Sequence, residues 1–413
     1  MRRRAGTRQI YYGWKITGAL AATETISWGI LFYAFSVFIT PMRDELGWSL
    51  AVLTGAYSLA LLCSGLTAPL VGRWIDRHGS RGVMTAGSIL GVACVLAWSR
   101  VDSIVPYYLI WAGIGVAMAA TLYDPAFTTL IRWFERDRAR AILLVTIAAG
   151  FASTIFLPLS SVLVEAFDWR PALVILAGVL VVGTVPLHAL VLRSRPEDIG
   201  LRIDGASAAE LEPAARRPLS VDGASLRDVV RERAFWLLTT AFVLQQYASI
   251  AIALILIPYL VDRGDNPAFA ATATGLIGAA QVVARIVSTA LGTRVSAVAL
   301  TATVFAFQAI AVGVLIGWES HAGILAAVLL FGAGRGTVTL MRPQLIGDFY
   351  GRANFGAING TLAMALQGAS ALAPISAGVI ASLLDSYVPV LWGMGALSLA
   401  AAAVMVALGR HRR

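Results

Sequence analysis

The chain has 413 residues, of which 58% are hydrophobic and only 13% are charged. An average soluble domain is about 25% charged, so this composition excludes an ordinary soluble protein. The net charge of +9 could suit nucleic acid, but the basic residues follow a membrane topology instead. The two cysteines, Cys63 and Cys94, lie inside apolar runs, which is typical of small buried residues rather than of a disulfide or a metal pair.

Twelve apolar runs are long enough to cross a bilayer as helices, which takes about 20 residues each. The basic start of the chain mimics a signal peptide, but the apolar run after it is too long for one, so we interpret it as the first span. The sequence therefore predicts an all-α membrane protein. Its expected spans are 14–40, 49–71, 83–99, 106–131, 139–165, 171–192, 234–261, 271–291, 297–317, 323–347, 355–384 and 390–408.

Arginine and lysine are divided unevenly between the loops on the two sides. Most of them lie at the termini and in the even-numbered connections, whereas the other loops hold only Arg43, Arg100, Arg170 and Arg263. By the positive-inside rule, both termini are predicted to be cytoplasmic. We expect a multi-pass protein of the cell membrane that is surrounded by lipid, binds no nucleic acid and is monomeric.

Residues 193–233 differ from the rest of the chain, because they hold eight Arg and eight Asp or Glu with interspersed Pro and Ser. This composition predicts a cytoplasmic linker between an N-terminal six-helix half, 1–192, and a C-terminal six-helix half, 234–413. Near the end of the linker, Ser225 and Asp228 have capping-box spacing. We expect a short surface helix there, leading into the seventh span.

The two halves resemble each other in sequence. In each half, an aromatic residue, a charged segment and a helix of small residues lead to a proline, over Phe134–Pro158 and Phe349–Pro374. An ionisable residue also precedes a proline in the fourth span, at Asp124, and in the tenth, at Arg342. Such parallel repeats predict two pseudo-symmetric halves related by an axis along the membrane normal.

The loop after the second span reads GRWIDRHGSR and begins at Gly72. It resembles the major facilitator signature G-x-x-x-D-R-x-G-x-R in residue types, spacing, side and helix position. The resemblance implies the major facilitator fold and a gating role for Asp76, Arg77 and Arg81. In that superfamily the aspartate keeps the cytoplasmic side closed. Here Asp76 would meet the free N–H groups and partial positive charge at the start of the eleventh span, near residues 354–355.

Further features run along the whole chain. They are Tyr12-Gly13-Trp14 opening the first span, Trp133-Phe134 before the fifth, FYGRANFGAING opening the eleventh, and Arg285 in the eighth. In these features the chain resembles bacterial monocarboxylate-transporter-like proteins, a group related to oxalate–formate exchangers. It departs from the animal transporters at two positions. Gln281 stands where they have an aspartate, and Glu24 is the deep ionisable residue of the first span, where they have a lysine.

Arg285 lies in a segment that otherwise suits lipid, where a charge costs roughly 2.5–3.5 kcal/mol at the bilayer centre. Its planar guanidinium matches a carboxylate in bidentate geometry, and Gln281 lies one helical turn away on the same face. One interpretation is a substrate anchor, for which the family resemblance supplies much of the support. The alternative is a permanent salt bridge to Glu24 or Asp124.

Two further ionisable residues lie deep in predicted spans. Arg335, near the middle of the tenth span, would either face the substrate cavity or pair with Glu24, while the glycines around it suit close helix packing. Glu24 would either carry a coupling proton or serve as a structural partner. Neutral and aromatic residues at similar depth are further candidates for the cavity wall. The predicted substrate-binding set adds Tyr123, Trp28, Gln246, Tyr247 and Asn359 to the arginines and Gln281.

Asp124 and Arg342 occupy corresponding positions in the two repeats, so we expect them to face each other across the cytoplasmic mouth. Their opposite charges predict an ion pair that gates this mouth. The alternative is that Asp124 pairs with Arg132 in its own half while Arg342 meets lipid headgroups.

These features favour a secondary active transporter that moves a small organic anion, a carboxylate, by alternating access with a coupled proton or counter-anion. The alternative within the same fold is an exporter of drugs or other hydrophobic compounds. The chain has neither an H-E-x-x-H nor a G-x-S-x-G motif, and no metal cluster is evident. We therefore expect no enzyme activity, no metal and no cofactor. The remaining alternative is a non-transporting receptor with this fold.

Overall fold

The computed structural model describes residues 11–205, 224–291 and 295–411, and within them every regular element is a helix. Twelve helices in this part of the chain are long and apolar enough to cross a membrane, which confirms the predicted fold class and number of spans. They are Tyr12–Leu46 (α1), Ala51–His78 (α2), Ser80–Trp98 (α3), Ile104–Trp133 (α4), Arg138–Phe167 (α5), Trp169–Val191 (α6), Arg233–Asp262 (α7), Thr272–Ala290 (α8), Ala297–Gly317 (α9), His321–Tyr350 (α10), Phe355–Leu384 (α11) and Val388–Arg410 (α12).

Several helices are longer than the apolar runs predicted. Helix α2, for example, continues to His78, a full two turns beyond the predicted end at residue 71. The sequence criterion stops at the first polar residues, whereas backbone hydrogen bonding continues until Gly79, whose φ of 82° ends the helix. Charged residues of the loops therefore lie on helical extensions that hold them in fixed positions.

Three helices contain a local break near the middle of the bundle. Helix α1 has a π-helical segment at Trp28–Tyr33, and α5 is interrupted at Phe151. Helix α4 breaks at Leu122, where ψ is −162°. Pro125 explains this break, because it has no N–H to donate to the carbonyl of Thr121 four residues earlier. The π-helical segment of α1 begins at Trp28, and the break in α4 lies two residues before Asp124.

Separate apolar cores hold the two sets of six helices. The first includes Trp98 and Trp111 from α3 and α4, and the second includes Phe331 and Leu391 from α10 and α12. A third core joins both sets at the end of the bundle where α1 begins and α12 ends. We call this end the terminal face and the other end the opposite face.

The start of the linker is attached to the first set of helices at the terminal face. The Trp133 indole donates to the carbonyl of Arg193 at 3.1 Å, and the Asp204 carboxylate accepts from the backbone N–H groups of Glu135 at 3.1 Å and Arg136 at 2.8 Å. Burial, together with nearby Asp204, raises the pKa of Tyr11. Its hydroxyl stays protonated and donates to the Trp133 carbonyl at 3.0 Å.

The end of the linker is attached to the second set. The backbone N–H of Ala224 donates to the Tyr350 carbonyl at 3.3 Å, and the Asn354 amide donates to the Ala224 carbonyl at 3.1 Å. Ser225 caps the short helix Leu226–Val229, as its capping-box spacing predicts.

Helices α2 and α11 make the closest contact between the two sets. A Cβ at Gly72 would collide with the carbonyl oxygen of Gly356, and a Cβ at Gly360 would collide with that of Ala68. Small residues let two backbones approach this closely inside a membrane bundle. This approach brings the end of α2 against the start of α11.

We predict that Gly72→Ala lowers the unfolding midpoint of the detergent-solubilised protein, because an added methyl in a packed contact costs about 1–3 kcal/mol. Gly368→Ala in α11 is the matched control, since nothing lies within 4 Å of a Cβ at that position. Alanine there should leave the midpoint unchanged or raise it, because glycine weakens a helix by roughly 0.5–1 kcal/mol. Equal midpoints for the two variants would contradict the close contact.

Candidate functional site

Arg285 is buried inside the bundle, with 6% of its surface exposed. Its Nη1 donates to the backbone carbonyl of Thr146 in α5 at 2.6 Å, and its Nη2 lies 3.5 Å from Oε1 of Gln281, one turn earlier in α8. A Cβ at Gly150, beside the break in α5, would lie 3.4 Å from Nη1. The guanidinium is therefore held on one side by the backbone of α5, while its Nε has no hydrogen-bond partner in the described residues.

No carboxylate pairs with this guanidinium anywhere in residues 11–205, 224–291 and 295–411. Asp124 pairs with Arg342, and Glu24 receives its hydrogen bond from Trp28. Arg285 therefore forms neither of the predicted alternative salt bridges, to Glu24 or to Asp124. Neither carboxylate reaches the cation, so its charge is left without a protein counter-ion in the part of the chain described.

A second arginine and two tyrosines lie around Arg285. Arg335 in α10 likewise forms no ion pair within the described ranges, and both guanidinium groups lie within electrostatic range of the Tyr33 hydroxyl. The Tyr123 hydroxyl also lies within electrostatic range of Arg285. Trp28 packs against Tyr123 with ring centroids 5.0 Å apart. The structure thus brings five predicted substrate-site residues, including Gln281, to one region.

Glu24 borders this region from α1. The carboxylate is completely buried, and its Oε2 accepts a hydrogen bond from the Trp28 indole at 3.1 Å. Its Oε1 has no hydrogen-bond partner in the structure as described. The predicted alternative of a Glu24–Arg335 pair is not formed among the described residues; Glu24 instead accepts from Trp28, which packs against Tyr123.

Three other predicted substrate-site residues are engaged elsewhere. Gln246 donates to the Ser370 hydroxyl at 2.9 Å, and the Tyr247 hydroxyl bonds to that of Ser376, so both link α7 to α11. Asn359 donates to the Asp124 carboxylate at 3.0 Å. Buried polar groups on neighbouring helices satisfy one another, which explains why these residues do not turn toward the arginines.

Asp124 and Arg342 form an ion pair that joins the two sets of helices. Asn359 adds a third member from α11. The alternative partner for Asp124, Arg132, instead contacts Asp76 at 3.4 Å. Because α4, α10 and α11 meet at this pair, it closes the bundle between the arginine region and the terminal face.

Asp76 caps the start of α11. Its two carboxylate oxygens accept from the backbone N–H groups of Gly356 at 3.0 Å and Ala357 at 2.7 Å, two residues beyond the predicted contact at 354–355. Both donors lie in the first turn of the helix, where N–H groups have no intrahelical partner.

The other two charged residues of the same motif do not lie at this contact. Arg77 is exposed and makes no hydrogen bond within the described part of the chain, and Arg81 donates to the Ala189 carbonyl at 2.7 Å within its own half. The predicted gating role of Arg77 and Arg81 is therefore not supported by their positions. Both side chains lie at helix ends, where Arg77 is exposed to water and Arg81 binds a backbone carbonyl.

Two further ion pairs join the halves at the terminal face, and neither of them is predicted from the sequence. Arg138 pairs with Asp348, and Arg352 pairs with Glu135 at 2.6 Å. The available sequence signal is only that both loops carry charges of each sign beside their aromatic pairs, Trp133-Phe134 and Phe349-Tyr350. Together with the contacts of Asp76 and Asp124, these pairs join the two sets of helices at the terminal face.

The sequence profile of the Major Facilitator Superfamily matches residues 21–316. Monocarboxylate transporter 3 of Rattus norvegicus is 26% identical over 94% of this chain and 77% of its own length. The oxalate:formate antiporter of Oxalobacter formigenes is 25% identical over 55% of this chain and 51% of its own length.

Solved transporter structures share the fold at low sequence identity. FucP in the outward conformation gives a TM-score of 0.71 at 13% identity, over 98% of this chain and 100% of its own. A bacterial homologue of the iron transporter ferroportin in an outward-facing state gives a TM-score of 0.72 at 16% identity, over 97% of this chain and 100% of its own. Given the profile match, the twelve spans and the contacts of Asp76, this chain belongs to the Major Facilitator Superfamily of membrane transporters.

Proposed function

We propose that the protein is a secondary active transporter that moves a small organic anion, a carboxylate, across the cell membrane by alternating access. The observation that carries this proposal is the buried guanidinium of Arg285, whose Nε has no partner and which has no carboxylate beside it in the described chain. A buried cation is strongly favoured to take up an anion, because an unpaired charge in a low-dielectric interior is costly. A transported carboxylate would supply that anion.

The proposed binding mode follows from the hydrogen bonds of Arg285. Nη1 is occupied by the Thr146 carbonyl, so the substrate carboxylate would bind along the edge formed by Nε and Nη2. Arg335 would add a second positive charge, which favours anions over lipophilic cations. The rings of Trp28 and Tyr123 would contact the organic part of the substrate. The names of the two relatives, a monocarboxylate transporter and an oxalate:formate antiporter, are consistent with this substrate class.

The transport cycle we propose is a rocking of the halves 1–192 and 234–413 around Arg285. The terminal face carries the basic loops and would be cytoplasmic by the positive-inside rule. Its closed contacts then correspond to an outward-facing state, in which the substrate enters from outside. Asp76 and the Asp124–Arg342 pair would form the inner gate, because they hold only while the cytoplasmic ends meet.

We predict that Arg285→Lys weakens transport about tenfold or more while the protein stays folded, because an ammonium cannot reproduce two parallel hydrogen bonds to a carboxylate. A thermal-shift screen of mono- and dicarboxylates identifies the best ligand, and its uptake is then measured in proteoliposomes. Arg100→Lys, at an exposed site, is the matched control and should transport normally. Normal affinity and rate in Arg285→Lys would refute the anchor.

We predict that Glu24→Gln abolishes uptake driven by a pH gradient but preserves exchange of internal for external anion. Glu24 has an unpaired carboxylate oxygen next to the proposed site, so it is the group we expect to carry a coupled proton. Both modes are measured with the same proteoliposomes, and Glu165→Gln at an exposed position is the control. Unchanged pH-driven uptake in Glu24→Gln would rule out this coupling role.

We predict that Asp124→Arg and Arg342→Asp each impair transport and that the double variant recovers part of it. Cysteines placed at the terminal face should become more reactive in each single variant and less reactive again in the double. Recovery is expected to be partial, because Asn359 donates to Asp124 and would have to turn its free Oδ1 toward the new arginine. Additive damage without recovery of either signal would argue against an inner gate.

A further inference from the structure

A cavity of about 220 Å³ lies between the two halves near the terminal face. One wall comes from the start of α5 and the loop before it, and includes Arg136, Arg138 and Ile142. The other comes from α8 and α10 and includes Thr289, Met341 and Gln344. Because each half supplies one wall, the cavity has this form only while the terminal ends of the halves are together.

The lining of this cavity is apolar on its floor and basic at its rim. Ile142 and Met341 are nearly completely buried and provide the floor. At the rim, Glu135 is neutralised by Arg352 and Arg138 by Asp348. The Arg136 side chain is exposed and makes no ion pair or hydrogen bond within the described chain, so no described protein group neutralises its charge. An apolar floor beside one free guanidinium fits an amphipathic monoanion.

The cavity is separate from the proposed substrate site but next to it along α8. Thr289, on its wall, donates its hydroxyl to the backbone carbonyl of Arg285 at 2.8 Å, one helical turn away. One turn is about 5.4 Å along the helix. The Arg285 side chain is not part of the lining. A ligand could therefore occupy the cavity without using the Arg285 guanidinium.

We propose that this cavity is a second site for an organic monocarboxylate, and that its occupant holds the two halves together at the terminal face. The ligand class rests on the proposed function. A ligand that binds only the closed arrangement stabilises it, by an amount set by its affinity. An anion that accumulates at the terminal face would thus slow the opening of that face and act as a feedback inhibitor of its own transport.

Binding of 4-fluorobenzoate, followed by its 19F NMR signal, tests the site in the purified Arg285→Ala protein. We expect binding to persist in this variant and to weaken about tenfold or more when Arg136→Gln is added, because a charge-assisted contact is lost. Arg140→Gln is the matched control: Arg140 stacks on Trp14 at 5.3 Å and lies outside the cavity lining, so binding should not change. The neutral 4-fluorobenzamide should show no dependence on Arg136.

A steric variant tests the same site without changing charge. Ala139 lines the cavity, so Ala139→Leu should reduce 4-fluorobenzoate binding to the Arg285→Ala protein. In proteoliposomes with otherwise wild-type protein, Ala139→Leu and Arg136→Gln should relieve inhibition by benzoate placed at the terminal face.

The outcomes separate this proposal from the anchor role of Arg285. Loss of all binding in Arg285→Ala would overturn the second site and leave the anchor standing. Equal losses in Arg136→Gln and Arg140→Gln would also overturn it, because the attraction would then be non-specific. Binding that is unchanged by Arg285→Ala but lost with Arg136→Gln would support the second site and contradict the anchor.

Discussion

The buried positive charge of Arg285, which has no counter-ion among the described residues, is the constraint on which the proposed site depends. An apolar helix bundle in lipid offers no water to solvate a guanidinium, so Arg285 must be satisfied by groups that converge on it. The carbonyl of Thr146 and the amide of Gln281 give it neutral hydrogen bonds, but neither supplies a negative charge. Arg335 increases the imbalance, since it adds a second cation to the same region.

The terminal face follows the opposite rule, because each charge in the ion pairs and caps that join the halves there meets a complementary group. Asp76 meets two backbone N–H groups, and Asp124 meets Arg342 and Asn359. In the transport cycle proposed above, these pairs connect surfaces that separate, so their free energy would bias one state of the protein rather than its fold. Charge is thus matched where the halves close and left unmatched at the depth of the proposed substrate site.

The sequence was sufficient to predict the class of fold, the number of spans and the motif around Asp76, because these depend on local composition and spacing. It was not sufficient to predict which groups the buried charged side chains contact. The sequence offers Glu24 and Asp124 as possible partners for Arg285, yet its shortest hydrogen bond is to a backbone carbonyl, which carries no sequence signal. Gln246 and Tyr247 had the right depth, but depth alone does not reveal that their helix faces α11.

The attachment of the linker at both of its ends has a mechanical consequence. Asp204 ties its start to the loop before α5, and Ala224 ties its end to the loop before α11. The two anchored loops also contact each other directly, since Glu135 in the first pairs with Arg352 in the second. Each described end of the linker is therefore fixed to a segment that belongs to the contact between the halves. In the proposed rocking motion each end would move together with its own half, and opening of the terminal face would carry the two attachment points apart.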